Sequence, residues 1–449
     1  MTVRSVVPLP TARQFAINEM FFSTTDAHGR ILAGNQVFAR TSGFALNELV
    51  GQPHNLIRHP HMPRAAFATL WSNLRSGRPF NGYVQNMAKN GAYYWVFASI
   101  CPLRDGRLLS VRFKPTTKDL FVAIPALYAA VLTAEKNVLA KGGTEKAATQ
   151  EGLAVLHESI RQRAFPSYDE FSEAALNREM VSRDEELGRS ALALFPEHIN
   201  AARDLEATYH KTVAIYRDAT ELFSALERIG SLSQTLRTEA NSVIRLADDF
   251  QLTALNTNIA SSQFGADGAC TSVIASFLTR YAAGMNADTE VVRRHLQVIA
   301  NSARTINASV AMARLNLEMI LSYQAEIATG SELAGLKLLP DLEEAFLFNA
   351  GSAGQAIESL TKALLPVASS RDSLAQAVVS IQMAQVRGLT EAARLSSAET
   401  LRMMFEEFRT KIEKARLEID RISDVLGEFA SLMTPLSKRA ERLQDPLLV

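Results

Sequence analysis

The sequence predicts an α+β domain with an antiparallel sheet, followed by an all-α helical bundle or coiled coil. Up to about Thr116, runs rich in aromatic and β-branched residues alternate with turn sequences, as in a domain built around one sheet. From Ala140 onward, alanine, leucine, glutamate and arginine dominate and strand-like runs nearly vanish. Apolar residues in this second part recur at heptad spacing, which is typical of helices that pack along a seam.

Two pairs of β-rich runs define the predicted sheet. Turn sequences at Asp26–Gly29 and at Asp105-Gly106 separate the runs of each pair, which predicts two hairpins. Between the pairs, short helices are predicted over residues 35–42, 45–49 and 64–76. Helices on one face of such a sheet can enclose a small pocket.

The apolar run Leu120–Ala134 predicts a buried linker helix that starts near Pro125. The run carries no charge, but it is shorter than the roughly 20 apolar residues that a spanning helix needs. Pro125 also interrupts it. We therefore expect no membrane span, and we divide the chain into an α+β domain over residues 1–118, a linker helix over 119–150 and a helical bundle over 151–449.

Three heptad series organise the helical part. The strictest runs from Leu401 to Leu436, and the others run from Val292 to Ile320 and from Ile229 to Ala254. Such seams can pair within one chain, across a homodimer or with another protein. Breaks are predicted at Pro166, Pro196, Pro340, Pro366 and the glycine-rich stretch 351–354, so we expect a segmented bundle and not two uninterrupted arms.

Charge and cysteine content exclude several classes of function. Lysine plus arginine equals aspartate plus glutamate at 47 each, so no net field attracts nucleic acid or anionic lipid. Cys101 and Cys270 are the two cysteines, and the amino end lacks the order of a signal peptide, which fits a reducing cytoplasm without disulfides. No phosphate loop, nucleophile elbow or metalloprotease motif is present, so we expect no enzyme and no catalytic residues.

The segment Gly51–Trp71 is too polar, and too often interrupted by proline, for an ordinary core helix. It holds three histidines, three prolines and a tryptophan. We interpret it as part of the wall of a cofactor site. Its histidines, His54, His59 and His61, do not predict a metal site, because structural sites usually need four well-spaced ligands and no cysteine supports them.

Four stretches of the α+β domain resemble the PAS domain of aerotaxis receptors. They are STTD at 23–26, GNQVFARTSGF at 34–44, ELVGQPHNLIRHPHMPRAAFATLW at 48–71 and KNGAYYWV at 89–96. The resemblance covers nearly all of residues 8–135 and implies that residues 1–118 form a PAS sensor domain. Receptors of this kind bind FAD non-covalently and read cellular redox state or oxygen indirectly, so the resemblance implies a flavin site.

The same resemblance implies that Asn35, Arg58, His59 and Trp71 bind the flavin. A guanidinium can pair with a pyrophosphate or a flavin carbonyl, an indole offers a stacking face, and asparagine supplies both a donor and an acceptor. One departure is His61, which stands where the family usually has an aspartate and puts the identity of the cofactor in question. Haem held by one of the histidines, and an empty domain in which Trp71 simply packs in the core, stay open as alternatives.

A second stretch, Ile244–Ala282, is similar to the hairpin tip of methyl-accepting chemotaxis proteins. LTALNTNIA at 252–260, then Gly265, Gly268 and VIA at 273–275, follow the order of that tip. The polar residues that the family uses to engage the chemotaxis kinase and its coupling protein are replaced, at Ala260, Gln263 and Ala266. Because these polar anchors are missing, ordinary coupling to the kinase is in doubt.

These features predict a cytoplasmic signal transducer. A flavin-binding PAS domain would sense redox state or oxygen and bias a homodimeric helical output region, with an unknown signalling protein or components of chemoreceptor arrays as partners. The alternative is a scaffold protein, in which an empty PAS domain and a degenerate bundle only mediate assembly.

Overall fold

The structure is a computed structural model that describes residues 6–188, 195–329, 335–395 and 398–448. By packing, the chain divides into two compact units. The first comprises Met1–Phe223, Asn307–Ser352 and Ala440–Val449, and the second Ser224–Ile306 and Ala353–Arg439. The first unit thus joins the predicted α+β domain to three later parts of the helical region.

One five-stranded antiparallel sheet forms the centre of the α+β domain in the described residues. Its strands are β1 (Phe21–Thr25), β2 (Ile31–Gly34), β3 (Phe80–Met87), β4 (Tyr93–Pro102) and β5 (Leu108–Phe113). Their order across the sheet is β2-β1-β5-β4-β3, and both predicted hairpins, β1 with β2 and β4 with β5, are present. The predicted α+β fold is confirmed.

The three predicted short helices follow β2. They are α1 (Gln36–Ser42), α2 (Leu46–Leu49) and α3 (Arg64–Arg75). Asn35 caps the start of α1 by accepting a hydrogen bond from the backbone N–H of Phe38, and Gly43 ends the helix at φ 74°, in the left-handed region that glycine tolerates. A single turn of 3₁₀ helix, His54–Ile57, lies between α2 and α3.

Three helices follow the sheet in the chain: α4 (Leu120–Ala140), α5 (Glu145–Arg161) and α6 (Tyr168–Glu186). Of these, α6 packs against β3. The predicted linker helix begins at Leu120 and not near Pro125, so Pro125 lies inside it. At 21 residues, α4 is the one helix in the described part of the chain that is long and apolar enough to cross a membrane by length and composition, and 28% of its most apolar window is buried.

The packing of α4 involves a buried carboxylate. The helix contacts α5 and α3, and its Glu135 side chain is 2% exposed. Glu135 accepts hydrogen bonds from the backbone N–H groups of Arg64 (2.9 Å) and Ala65 (2.8 Å), where α3 begins without a capping side chain of its own. The carboxylate therefore satisfies two backbone N–H groups that have no partner within α3 itself.

Long helices make up most of the remaining described chain: α7 (Arg203–Ser262), α8 (Ala269–Ala328), α9 (Leu339–Ala392) and α10 (Glu399–Arg442). Pro166 and Pro196 lie between helices and Pro340 lies at the start of α9, as predicted. The breaks predicted at Pro366 and at Gly351–Gly354 are wrong, because α9 continues through both. Buried neighbours of the proline, Leu364 and Val367, offset the cost of a proline inside a helix.

The second unit is a four-helix bundle built from parts of α7 to α10. Phe250 of α7 stacks on Phe408 of α10 at 5.9 Å between ring centroids, and Ser373 of α9 donates to Asp288 of α8 at 2.6 Å. The α10 heptad residues that lie in the second unit are buried, except for half-buried Leu426, whose neighbour Val425 is buried instead. The heptad seams of the second unit therefore pair within one chain.

The end of α8 is the centre of the first unit. Every residue from Ala308 to Leu321 is buried, although the heptad pattern predicts burial of one face alone. The sheet contacts the helix on one side, where the Phe22 and Tyr323 rings lie 4.9 Å apart. On α6, Arg183 forms a fully buried ion pair with Glu318 of α8 at 2.6 Å. Paired charges allow this segment to be buried on all faces.

Candidate cofactor-binding site

A cavity of about 290 Å³ opens between α3 and the sheet. On the α3 side, apolar side chains spaced by one helical turn line it: Phe67, Leu70, Trp71 and Leu74. On the sheet side, alternate residues of β3, β4 and β5 line it: Val84, Asn86, Ala98, Ile100, Leu108, Ser110 and Arg112. The periods of helix and strand thus place an apolar wall opposite a partly polar one.

A buried arginine dominates the sheet side of the cavity. Arg112 of β5 is 4% exposed, and it donates to Ser23 Oγ at 3.0 Å. Its Nη2 lies 2.7 Å from Nε2 of His54. The guanidinium also faces the rings of Phe21 and Phe38, at 6.0 and 5.7 Å from their centroids. Among the described residues, no carboxylate forms an ion pair with it.

The pKa values at this pair follow from burial. Loss of water lowers the pKa of Arg112 to about 10, so it stays charged at neutral pH. Burial first, and the Arg112 charge second, hold the pKa of His54 well below its ordinary value. Because a guanidinium can only donate, His54 Nε2 is the acceptor and the ring is neutral, with its proton on Nδ1.

Two further polar groups of the cavity wall have no partner within the described residues. Asn86 Nδ2 is a buried donor and Ser110 Oγ is a buried hydroxyl, and neither finds a hydrogen bond. Leaving such groups unpaired costs about 1–3 kcal/mol each. Together with the uncompensated charge of Arg112, they fit a ligand that offers several hydrogen-bond acceptors.

Two of the four predicted site residues line the cavity. Arg58, which follows the 3₁₀ turn, donates to the Met62 carbonyl at 2.8 Å, and its guanidinium lies 4.2 Å from the centroid of the Phe67 ring. Burial lowers the pKa of Arg58, and the nearby Arg64 charge lowers it further. Trp71 projects from α3 next to Gly29, where an added Cβ would come within 3.3 Å of the indole.

Asn35 lies outside the cavity lining and is fully hydrogen-bonded. Its Oδ1 accepts from the backbone N–H groups of Phe22 and Phe38, both at 3.3 Å. Its Nδ2 donates to the Met20 carbonyl at 3.3 Å and to Glu326 of α8 at 3.2 Å. Direct contact with a flavin would require Asn35 to exchange one of these partners, and its assignment to the flavin stays a prediction.

His59 also lies outside the lining, and it is 2% exposed. Its Nδ1 accepts a hydrogen bond from the backbone N–H of His61 at 3.1 Å, and the two rings meet edge to face at 4.7 Å. Burial, with a smaller effect from His61, lowers the pKa of His59 to about 4. His59 therefore orders the segment that carries Arg58, and its contact with a cofactor stays a prediction.

The sequence did not identify His54 or Arg112 as a cofactor contact, although His54 lies in the segment Gly51–Trp71 that we interpret as part of the site wall. His54 is one of the three histidines for which the sequence leaves a haem ligand open as an alternative, and Arg112 lies in the otherwise apolar run LLSVRF. One signal was available, since a lone charged residue inside a predicted buried strand is rare and needs a partner.

Comparison with known proteins identifies the domain around this cavity. Residues 31–113 match the PAS fold family. They form a PAS domain. The aerotaxis receptor of Escherichia coli (strain K12) is 44% identical to this chain over 113 residues, which are 24% of this chain and 22% of the receptor. The match therefore spans about a fifth of that receptor.

Two other similarities concern the same part of the chain. The nitrogen fixation regulatory protein of Klebsiella pneumoniae is 32% identical over 81 residues, or 18% of this chain and 16% of that protein. A light-oxygen-voltage domain, solved in a study with a flavin analogue, covers 26% of this chain and 88% of its own at 26% identity, with a TM-score of 0.21. The aerotaxis receptor and the nitrogen fixation regulatory protein relate the PAS domain to sensory and regulatory proteins, and the long helices after it are consistent with a signalling domain.

Proposed function

We propose that the PAS domain binds FAD, reads redox state or oxygen through it, and modulates the helical region as an output domain. The observation that carries the proposal is the cavity, in which a buried guanidinium, an amide donor and a hydroxyl face the same space without a charge partner. The relation to an aerotaxis receptor supports a sensory function of this kind.

The residues of the cavity fit a flavin. A volume near 290 Å³ is at the lower end for ligand pockets, so it suits a planar ring system better than a whole dinucleotide. Arg58, Asn86, Ser110 and Arg112 supply donors for ring carbonyls and nitrogens, and Trp71 and Phe67 supply aromatic faces. Trp71 and Arg58 are the two predicted site residues for which the geometry supports direct contact.

A bound flavin supplies reversible electron uptake, which changes the charge of its ring. The chain responds through Arg58 and Arg112, whose positive charges in a poorly hydrated cavity favour the more negative form of the ligand. Neutral His54 accepts from Arg112 and keeps that guanidinium oriented. A change of charge in the cavity therefore alters the forces on Arg112 and on Ser23, its partner in β1.

The sheet connects the cavity to α8. In β1, Ser23 contacts Arg112 on the cavity side, whereas the preceding residue, Phe22, packs on Tyr323 of α8. The start of α1 contacts α8 as well, because Glu326 accepts hydrogen bonds from Asn35 (3.2 Å) and from the backbone N–H of Gln36 (2.9 Å). We propose that these contacts bias two packings of α8 against the sheet.

The output region is proposed to act on a signalling protein other than the ordinary chemotaxis kinase. The helix bounds support the position of the predicted hairpin tip, since α7 ends at Ser262 and α8 begins at Ala269. A homodimer remains part of the proposal. Because the heptad residues of the second unit are buried within one chain, a dimer contact would use other residues, and the mass of the protein in solution tests it.

Absorbance spectra of the 449-residue chain, purified with FAD and then chemically reduced, test the proposal. We expect flavin bands that bleach on reduction. The variants Arg58→Ala, Trp71→Ala and Arg112→Met should lose the flavin. The matched control Arg64→Ala should retain it, because Arg64 lies six residues further along the chain with an exposed side chain outside the cavity lining.

Other outcomes contradict the proposal in distinct ways. A colourless chain that takes up no FAD would leave the scaffold as the better account, and a haem spectrum would identify haem as the ligand. Flavin retained by both Arg58→Ala and Trp71→Ala would show that the binding site lies elsewhere.

A further inference from the structure

Three side chains of metal-ligand type converge in the first unit, away from the cavity. They are His198, in the segment before α7, and Glu206 and His210 in the first turns of α7. His198 Nδ1 lies 3.2 Å from Glu206 Oε1, and His210 Nε2 lies 3.8 Å from the same oxygen. One ligand atom from each residue lies within 4.8 Å of the other two.

Local structure holds these residues together. Glu206 and His210 are four residues apart, so they share one face of α7. His198 is brought to that face by the segment before the helix, where the buried Tyr209 donates its hydroxyl to the Pro196 carbonyl at 2.7 Å. Ile199 is also buried, at 5% exposure. The segment is therefore anchored on both sides of His198 by contacts that do not involve the three ligands.

We propose that His198, Glu206 and His210 bind one divalent transition-metal ion, with Zn²⁺ as the best fit. Two imidazoles and one carboxylate form a set that zinc uses, with water in the remaining position. Ligand atoms around tetrahedral zinc are about 3.3 Å apart, given zinc–ligand bonds of about 2.0–2.1 Å. The observed 3.2 and 3.8 Å approach that spacing, and all three side chains are exposed enough to adjust.

The two imidazoles and the carboxylate favour some metal ions over others. Calcium and magnesium prefer shells made of oxygen, whereas imidazole suits zinc, nickel and copper. A bound ion would join the segment around His198 to the start of α7, and it would stabilise the folded chain by mass action. This site is independent of the proposed flavin, because none of its residues lines the cavity.

Zinc titration of the 449-residue chain tests the proposal. We expect one equivalent of Zn²⁺ to remain after dialysis and thermal unfolding to move upward when zinc is added. His198→Ala and His210→Ala should each weaken zinc binding at least tenfold, since even loss of a residue that only orients a ligand costs about 10–100-fold. The matched control His157→Ala removes an exposed histidine from α5 and should bind zinc like the unmodified chain.

Circular dichroism checks that the variants keep their helices, as expected for exposed positions. If the unmodified chain retains no zinc, or if His198→Ala and His210→Ala both bind it unchanged, the site is absent. If His59 and His61 held the zinc instead, His198→Ala and His210→Ala would both bind zinc unchanged.

Discussion

At the scale of single residues, a buried neutral histidine makes the stability of the PAS domain depend on pH. His59 is buried, accepts a hydrogen bond at Nδ1 and has a pKa lowered to about 4. The unfolded chain, where histidine titrates near 6.5, therefore binds more protons than the folded chain between these two values. His59 contributes stability that is fully present above about pH 6.5 and is lost as pH falls towards 4.

The variant His59→Asn should reduce this dependence on pH, because its amide oxygen can replace Nδ1 as acceptor but does not titrate. Between pH 7 and pH 5, we expect the free energy of unfolding to fall by about 1 kcal/mol less in the variant than in the unmodified chain. Urea unfolding followed by tryptophan fluorescence measures this, since Trp71 and Trp95 both lie in the PAS domain.

His157→Asn serves as the control for that experiment, because His157 is exposed on α5. It should keep the pH dependence of the unmodified chain. Equal losses of stability in all three proteins would show that His59 does not titrate as its burial implies.

The sequence motif located Arg58 and Trp71 at the cavity, because both belong to a stretch whose order of residues resembles a known pocket. It could not locate Arg112. Which face of β5 meets the cavity depends on its register with β1 and β4, and a run of six residues does not reveal that register. The hydrogen bond from Asn35 to Glu326 could not be predicted for a similar reason, because Glu326 lies 291 residues later in the chain.

At the scale of elements, the bundle depends on close approach between α9 and α10. Gly388 of α9 faces the ring of Phe405 on α10, and a Cβ at Gly388 would overlap that ring. Phe405 is fully buried and belongs to the strictest heptad series. The large side chain of one helix thus occupies the space left by the small residue of the other.

Gly388→Ala should therefore destabilise the bundle by about 1–3 kcal/mol, the usual cost of overpacking a core. Gly427→Ala is the matched control, because Gly427 is also helical and nothing lies within 4 Å of its added Cβ. The control should gain about 0.5–1 kcal/mol from helix propensity. Thermal unfolding followed by circular dichroism separates the two, and a stabilised Gly388→Ala would show that α9 and α10 are further apart than described.

Heptad spacing predicted the seams of these helices, because burial of one stripe of a helix requires apolar residues at regular intervals in the sequence. The same reasoning failed at Pro366, where local propensity favours a break but packing of neighbouring residues sustains the helix. At the end of α8, heptad spacing predicted one buried stripe but not the burial of the other faces, because that burial depends on contacts with β1 and α6, which are distant in sequence.

At the scale of the whole molecule, the first unit is assembled from three separate parts of the chain. A buried ion pair, Arg183 of α6 with Glu318 of α8, joins two of them, and both side chains are 1% exposed. Removal of one member of such a pair leaves a charge without compensation in the interior.

Glu318→Ala should cost about 3–5 kcal/mol and should appear in tryptophan fluorescence as early unfolding of the PAS domain. Replacement of both residues, Arg183→Met with Glu318→Leu, should recover most of that loss. Glu158→Ala, which breaks an exposed pair with Arg161 on α5, should change little. If Glu318→Ala unfolds like the control, α8 does not support the sheet.

The assembly of the first unit also has a consequence for biosynthesis. β5, the last strand of the sheet, ends at Phe113, yet α8, which contacts Phe22, ends at Ala328, about 200 residues later. At roughly 5–20 residues per second, the ribosome needs about 10–40 s to deliver that helix. During this time the nascent sheet exposes an apolar face. Synthesis of this protein should therefore depend on chaperones that bind nascent chains, and slower elongation should lower its soluble yield.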